Sequence, residues 1–128
     1  MKRLLIALLI ILAMAITVNA GTKPITFNWQ QNVADLPNLA SWNILYSFTA
    51  GGPYTQLVNV PYNGTPQAEY THLTPVAVVA DGQKKTVYFV ANAVGKSGVV
   101  SGYSNQVSIE IDFTTVTVPI QLRIIIGN

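Results

Sequence analysis

Two segments with strict period-two alternation constrain this chain more than anything else in it. Val87, Phe89, Ala91 and Ala93 share one face of the first, while Val107, Ile109, Ile111 and Phe113 share one face of the second, opposite Ser108, Glu110 and Asp112. That spacing is the signature of half-buried β-strands. Between them Gly95 to Gly102 carries three glycines and two serines and reads as a loop. A pair of such strands points to a β-sandwich.

The rest of the chain repeats the pattern. Ile25, Phe27 and Trp29 alternate with Thr26, Asn28 and Gln30, and Trp42, Ile44 and Tyr46 form the inward face of another strand. Gln31 to Ala40 is expected to be a connecting loop. Gly51-Gly52-Pro53 is a turn into a strand over Tyr54 to Val60, and Pro61 to Pro66 is a second turn centred on Asn63-Gly64. Glu69 to Leu73 and Val76 to Ala80 are both strand-like, separated by Thr74-Pro75, and a simple sandwich needs only one of them. No segment has convincing helical periodicity, so the fold class is all-β.

Residues 1–20 stand apart. Met1-Lys2-Arg3 is basic, Leu4 to Val18 is an apolar run of 15 residues, and Val18-Asn19-Ala20 offers small residues for cleavage. These are the parts of a signal peptide, expected to be helical and removed after Ala20. The run is shorter than the ~20 residues that span a bilayer. Membrane contact is therefore expected only during export, and the mature protein is expected to be secreted, extracellular or at the cell surface.

Without Lys2 and Arg3 the remaining chain is neutral, with five basic and five acidic side chains. Nucleic-acid binding, which needs clustered Lys and Arg, is not expected. The 108 residues left suit one domain. Cysteine is absent, so stability must come from apolar burial and sheet hydrogen bonds.

In their order these residues resemble a fibronectin type III domain, an immunoglobulin-like sandwich of about seven strands. Ile25-Thr26-Phe27-Asn28-Trp29 is similar to the family's B strand with its core Trp. Trp42-Asn43-Ile44-Leu45-Tyr46 followed by Gly51-Gly52-Pro53-Tyr54-Thr55 resembles strand C and the turn into C′. Tyr88 to Val94 resembles strand F, and Ser101-Gly102-Tyr103-Ser104-Asn105 resembles the start of strand G in bacterial secreted members. The sandwich is expected over 21–113. Two departures stand out: the family's corner tyrosine falls at or near Val87, and nothing upstream of Ile25 offers an A strand. An extra segment, 114–128, follows the family's usual end.

Chemistry is sparse. His72 is the single histidine, and on a strand it points away from Glu69. Glu110 and Asp112 share a face but read as solubilising charges. No enzyme activity, catalytic residue, metal site or cofactor is expected. The resemblance implies that the loops joining B to C, C′ to E and F to G gather at one pole, where binding residues lie on a rigid scaffold. The candidate binding residues there are Asp35, Asn38, Tyr62, Asn63, Lys96, Ser97 and Val99. Tyr62 and Tyr70 are the freest aromatic rings for stacking on a sugar, Tyr54 and Tyr103 being placed within turns.

In the extra segment Val116, Val118, Ile120, Leu122, Ile124 and Ile126 share one face of an extended chain. It is expected to be a strand that completes its own sandwich or is donated to a neighbouring subunit. The expected function is a non-enzymatic module that binds an extracellular protein or a surface polymer. The alternatives are a structural subunit of an extracellular filament or surface layer assembled by strand addition, its copies joined as a homo-oligomer through the C-terminal strand, and a carbohydrate-binding accessory module.

Overall fold

The computed structural model describes residues 21–114 and 121–125. The expected signal peptide, and Val116, Val118, Ile120 and Ile126 of the expected C-terminal strand, lie outside the described residues.

The described residues form β1 (Lys23–Trp29), a 3-10 helix (Val33–Asn38), β2 (Leu39–Ser47), β3 (Thr55–Pro61), β4 (Tyr70–Val76), β5 (Lys84–Gly95) and β6 (Val107–Asp112). They make two antiparallel sheets, one ordered β1-β4 and the other β3-β2-β5-β6. The apolar faces of the two sheets meet around Ile44, Val76, Val79, Val87, Phe89 and Ile111, all buried. Phe27 and Phe89 join the layers edge to face, ring centroids 5.0 Å apart.

Short stretches of local chemistry set the strand ends. Gly51 and Gly52 adopt φ of 83° and 88°, a region that costs other residues a steric clash, and so turn the chain between β2 and β3. Gln106 then ties this turn to the start of β6, accepting from the Gly51 N–H at 2.8 Å and from the Tyr54 hydroxyl. At the far end of β6 the Thr114 hydroxyl and N–H donate to Asp112, which with Lys84 nearby holds its carboxyl below the usual range.

Four expectations need correction. Thr74 and Pro75 do not separate two strands but lie inside β4, where Pro75 pairs with Pro24 of β1. Proline is tolerated there because β4 is an edge strand of a two-stranded sheet. Val79 is fully buried, yet the residues after Val76 form no second strand. The loop after β1 is shorter than expected, since Val33–Asn38 is helical and β2 already begins at Leu39.

The third correction concerns β6. Ile111 is fully buried, but Val107 and Ile109, on the same face by alternation, are 52% and 37% exposed. Both lie toward the edge of β1 that has no partner among the described residues. Among the described residues only β4 pairs with β1, so its other edge and the inward face of β6 beside it lack a covering strand. The inward residues of β1, Ile25, Phe27 and Trp29, are half-buried for the same reason. Val87, at the place of the family's corner tyrosine, is fully buried and has no hydroxyl to supply that contact.

The fourth concerns the C-terminal segment. Residues 121–125 form no strand, and Leu122, Ile124 and Ile125 are 92%, 88% and 89% exposed. The expected packing of Leu122 and Ile124 onto their own sandwich is therefore not found.

The stretch resembling the start of strand G is held differently from a strand. Ser104 Oγ accepts from the Ala91 N–H at 2.9 Å and Ser101 Oγ from the Ala93 N–H at 2.8 Å, while the Ser104 and Ser101 N–H groups bond the Ala91 and Ala93 carbonyls. Each serine thus satisfies one residue of β5 in both senses, with its hydroxyl replacing a backbone carbonyl. Ser101→Ala and Ser104→Ala are each expected to lower stability by about 0.5–1.5 kcal/mol, the net worth of one hydrogen bond, measured by urea unfolding.

Candidate functional site

The pole of the sandwich carries the candidate loops. After β1, the Asn32 side chain caps the 3-10 helix by accepting from the Ala34 N–H at 3.1 Å. Leu36 anchors the helix in a second core with Leu39, Trp42 and Tyr70, all buried. Gln31 spans this region: its Oε1 accepts from Trp42 Nε1 at 3.0 Å and its Nε2 donates to Asp35 Oδ2 at 3.2 Å. The carboxylate of Asp35 is thereby oriented through an amide from a buried indole.

The loop after β5 closes on itself and on the 3-10 helix. Gly95 N–H bonds the Val99 carbonyl at 2.8 Å, and Gly98, at φ 89°, makes the reversal. The Lys96 N–H then donates to the Asn38 carbonyl at 2.8 Å. One backbone bond therefore fixes the two loops relative to each other.

Between them runs a groove with a cavity volume of 510 Å³, lined by Asp35, Asn38, Ser97 and Val99 among others. Four of the seven candidate residues are brought together there. Lys96 contributes through its backbone. Tyr62 and Asn63 line a separate depression of 210 Å³, on the other side of Trp29 and Trp42.

The groove has neutral polar walls, from Gln30, Gln31, Asn92, Ser101 and Ser104, and an exposed apolar rim. Val99 is 70% exposed and Tyr103 56%. Sequence reasoning set Tyr103 aside as a turn residue. It does pack on Tyr54, ring centroids 5.1 Å apart, but keeps much of its surface open to the groove.

Of the two tyrosines expected to be free, Tyr70 is buried and Tyr62 half-buried. Tyr70 is buried between Trp29 and Trp42, at 6.3 and 4.7 Å between centroids, and its hydroxyl accepts from the Gln67 N–H. Tyr62 stands edge-on to Trp42 at 5.6 Å. Burial and the neighbouring Tyr70 raise its phenol above the ordinary value. Tyr70 is spent on the aromatic cluster that supports the pole, so the two rings do not form a shared stacking face, while Tyr62 is half-buried and lines the depression beside Asn63. His72 lies in β4 opposite Phe27.

The strand order, the antiparallel registers and the position of the Trp-rich core define an all-β, fibronectin type III-like sandwich that lacks its A strand among the described residues. A solved structure of a Fn3-like protein from Clostridium thermocellum is 28% identical in sequence; the likeness covers 69% of this chain and 84% of that one, with a TM-score of 0.41. No protein-family model and no curated protein matches the chain.

Proposed function

We propose that this protein is a secreted, non-enzymatic binding module, and that the groove between the loops after β1 and β5 takes an extracellular protein or surface polysaccharide. The observation that carries this reading is the Lys96 N–H bond to the Asn38 carbonyl, which makes one pre-formed surface from two loops far apart in sequence. Pre-organisation of this kind lowers the ordering cost of binding. The groove is open to solvent and almost uncharged, Asp35 being the one acidic or basic residue among the described residues that line it. Neutral hydrogen-bonding walls beside an exposed Tyr ring suit an extended, uncharged chain better than a charged or compact ligand.

The test is co-sedimentation of the mature protein with purified peptidoglycan and with an insoluble neutral polysaccharide, together with affinity capture of secreted proteins. Tyr103→Ala and Asp35→Asn, each folded by circular dichroism, are expected to weaken binding by about tenfold or more, equivalent to ~1.4 kcal/mol. A bound polymer or protein whose affinity is unchanged in both variants would place the site elsewhere.

A further inference from the structure

We infer that the edge of β1 left unpaired among the described residues is the acceptor for a strand donated by a second copy of this chain, and that the donated strand is the C-terminal segment 120–126. The acceptor has both backbone and side-chain requirements. Pro24 and Pro75 face each other and neither has an N–H, so theirs is a non-hydrogen-bonded pair. The alternate pairs Ile25–Thr74, Phe27–His72 and Trp29–Tyr70 carry the ladder to β4, which leaves the N–H and C=O of Thr26 and Asn28 directed at the free edge. Beneath that edge lies a cleft of 350 Å³ whose apolar walls include Phe27, Phe89 and Val107. Val107 and Ile109 continue its exposed apolar surface along β6. Paired backbone and an apolar filler are what strand addition supplies.

The donor is on the same chain. Ile120, Leu122, Ile124 and Ile126 recur at every second position over seven residues, the length of β1, and Pro119 lies just outside this stretch. In the folded monomer Leu122 and Ile124 are almost fully exposed, a condition that aliphatic side chains leave readily. Direction decides between the chain's own copy and another. The end of β6 lies beside the start of β1, with Phe113 against Gly21. A tail folding back from there would run along β1 in the parallel sense, whereas a segment from a second copy can enter antiparallel, the more stable pairing. Two copies exchanging segments would close as a dimer, and one-way donation would continue as a filament.

An antiparallel strand in full register sets Arg123 opposite Thr26, with Ile124 over Ile25 and Leu122 over Phe27. Because the chain has no cysteine, Thr26→Cys and Arg123→Cys variants of the mature protein report this pairing directly. Mixed and oxidised, they are expected to give a mixed disulfide dimer about tenfold or more in excess of the dimers either variant forms alone. Light scattering of the unmodified mature protein is expected to give a mass of two copies or more, and Ile124→Lys, Leu122→Lys or both together to shift it to the monomer. An intrachain disulfide in the dilute double-cysteine variant would overturn the inference in favour of a tail covering its own edge. A strictly monomeric mature protein with no mixed disulfide would overturn it outright. The groove proposed above for an external ligand is tested separately, by binding in Tyr103→Ala, and neither result depends on the other.

Discussion

Trp42→Ala is expected to destabilise the domain by about 3–5 kcal/mol, the range for truncating a large buried aromatic. Trp42 is 3% exposed and stands at the junction of everything that shapes the pole. It packs on Trp29, Tyr62 and Tyr70 with centroids 4.7–5.6 Å apart, and its Nε1 holds Gln31 in place. Removing it leaves a cavity among rings that cannot collapse together, and it frees the Gln31 amide from the bond that orients Asp35. A loss of that size is a large share of the ~5–15 kcal/mol available to a domain. Urea unfolding followed by circular dichroism measures it. Trp29→Ala is expected to cost less, because Trp29 is only half-buried on the open side of β1. Equal costs at the two sites, or a cost near zero at Trp42, would contradict the burial pattern.

The two tryptophans show what alternation does and does not reveal. Period-two spacing places Trp29 and Trp42 on inward faces, as found, because side chains on a strand must alternate. It cannot say whether another layer lies over that face. Trp42 sits on a central strand between β3 and β5, whereas Trp29 sits on a strand with one neighbour among the described residues. The same limit explains Val107 and Ile109, whose alternation is as regular as that of Ile111. Pro75 failed as a boundary marker because a breaker signal assumes a central strand. The loop candidates Asp35, Asn38, Ser97 and Val99 were legible through the resemblance, which predicts which loops share a pole. The roles of Gln31, Ser101 and Ser104 were not, since each acts by a side-chain hydrogen bond to a partner fixed only by the fold. Tyr70 and Tyr103 were exchanged for a similar reason: both are aromatic residues near turns, and only packing separates the ring that supports the pole from the ring that faces the groove.

Ile111→Ala and Ile109→Ala, compared side by side, are expected to differ by about 2 kcal/mol or more in the monomer. They occupy the same face of the same strand, and both pair with β5, opposite Lys85 and Val87. A difference in stability therefore reports what covers each side chain. Ile111 has no exposed surface and belongs to the core with Ile44, Val76, Val79, Val87 and Phe89. Truncating it removes buried methyl groups and leaves a cavity, at about 2–5 kcal/mol. Ile109 is 37% exposed, so its truncation gives up less transfer energy and opens no enclosed void, at about 1 kcal/mol or less. Unfolding midpoints at low and high protein concentration extend the comparison. In an assembly where a donated strand covers the face beside β1, Ile109 becomes buried, and its truncation is expected to cost more as concentration rises, while the cost at Ile111 stays constant. A concentration-independent gap between the two would mean that the open face of β6 stays open in solution.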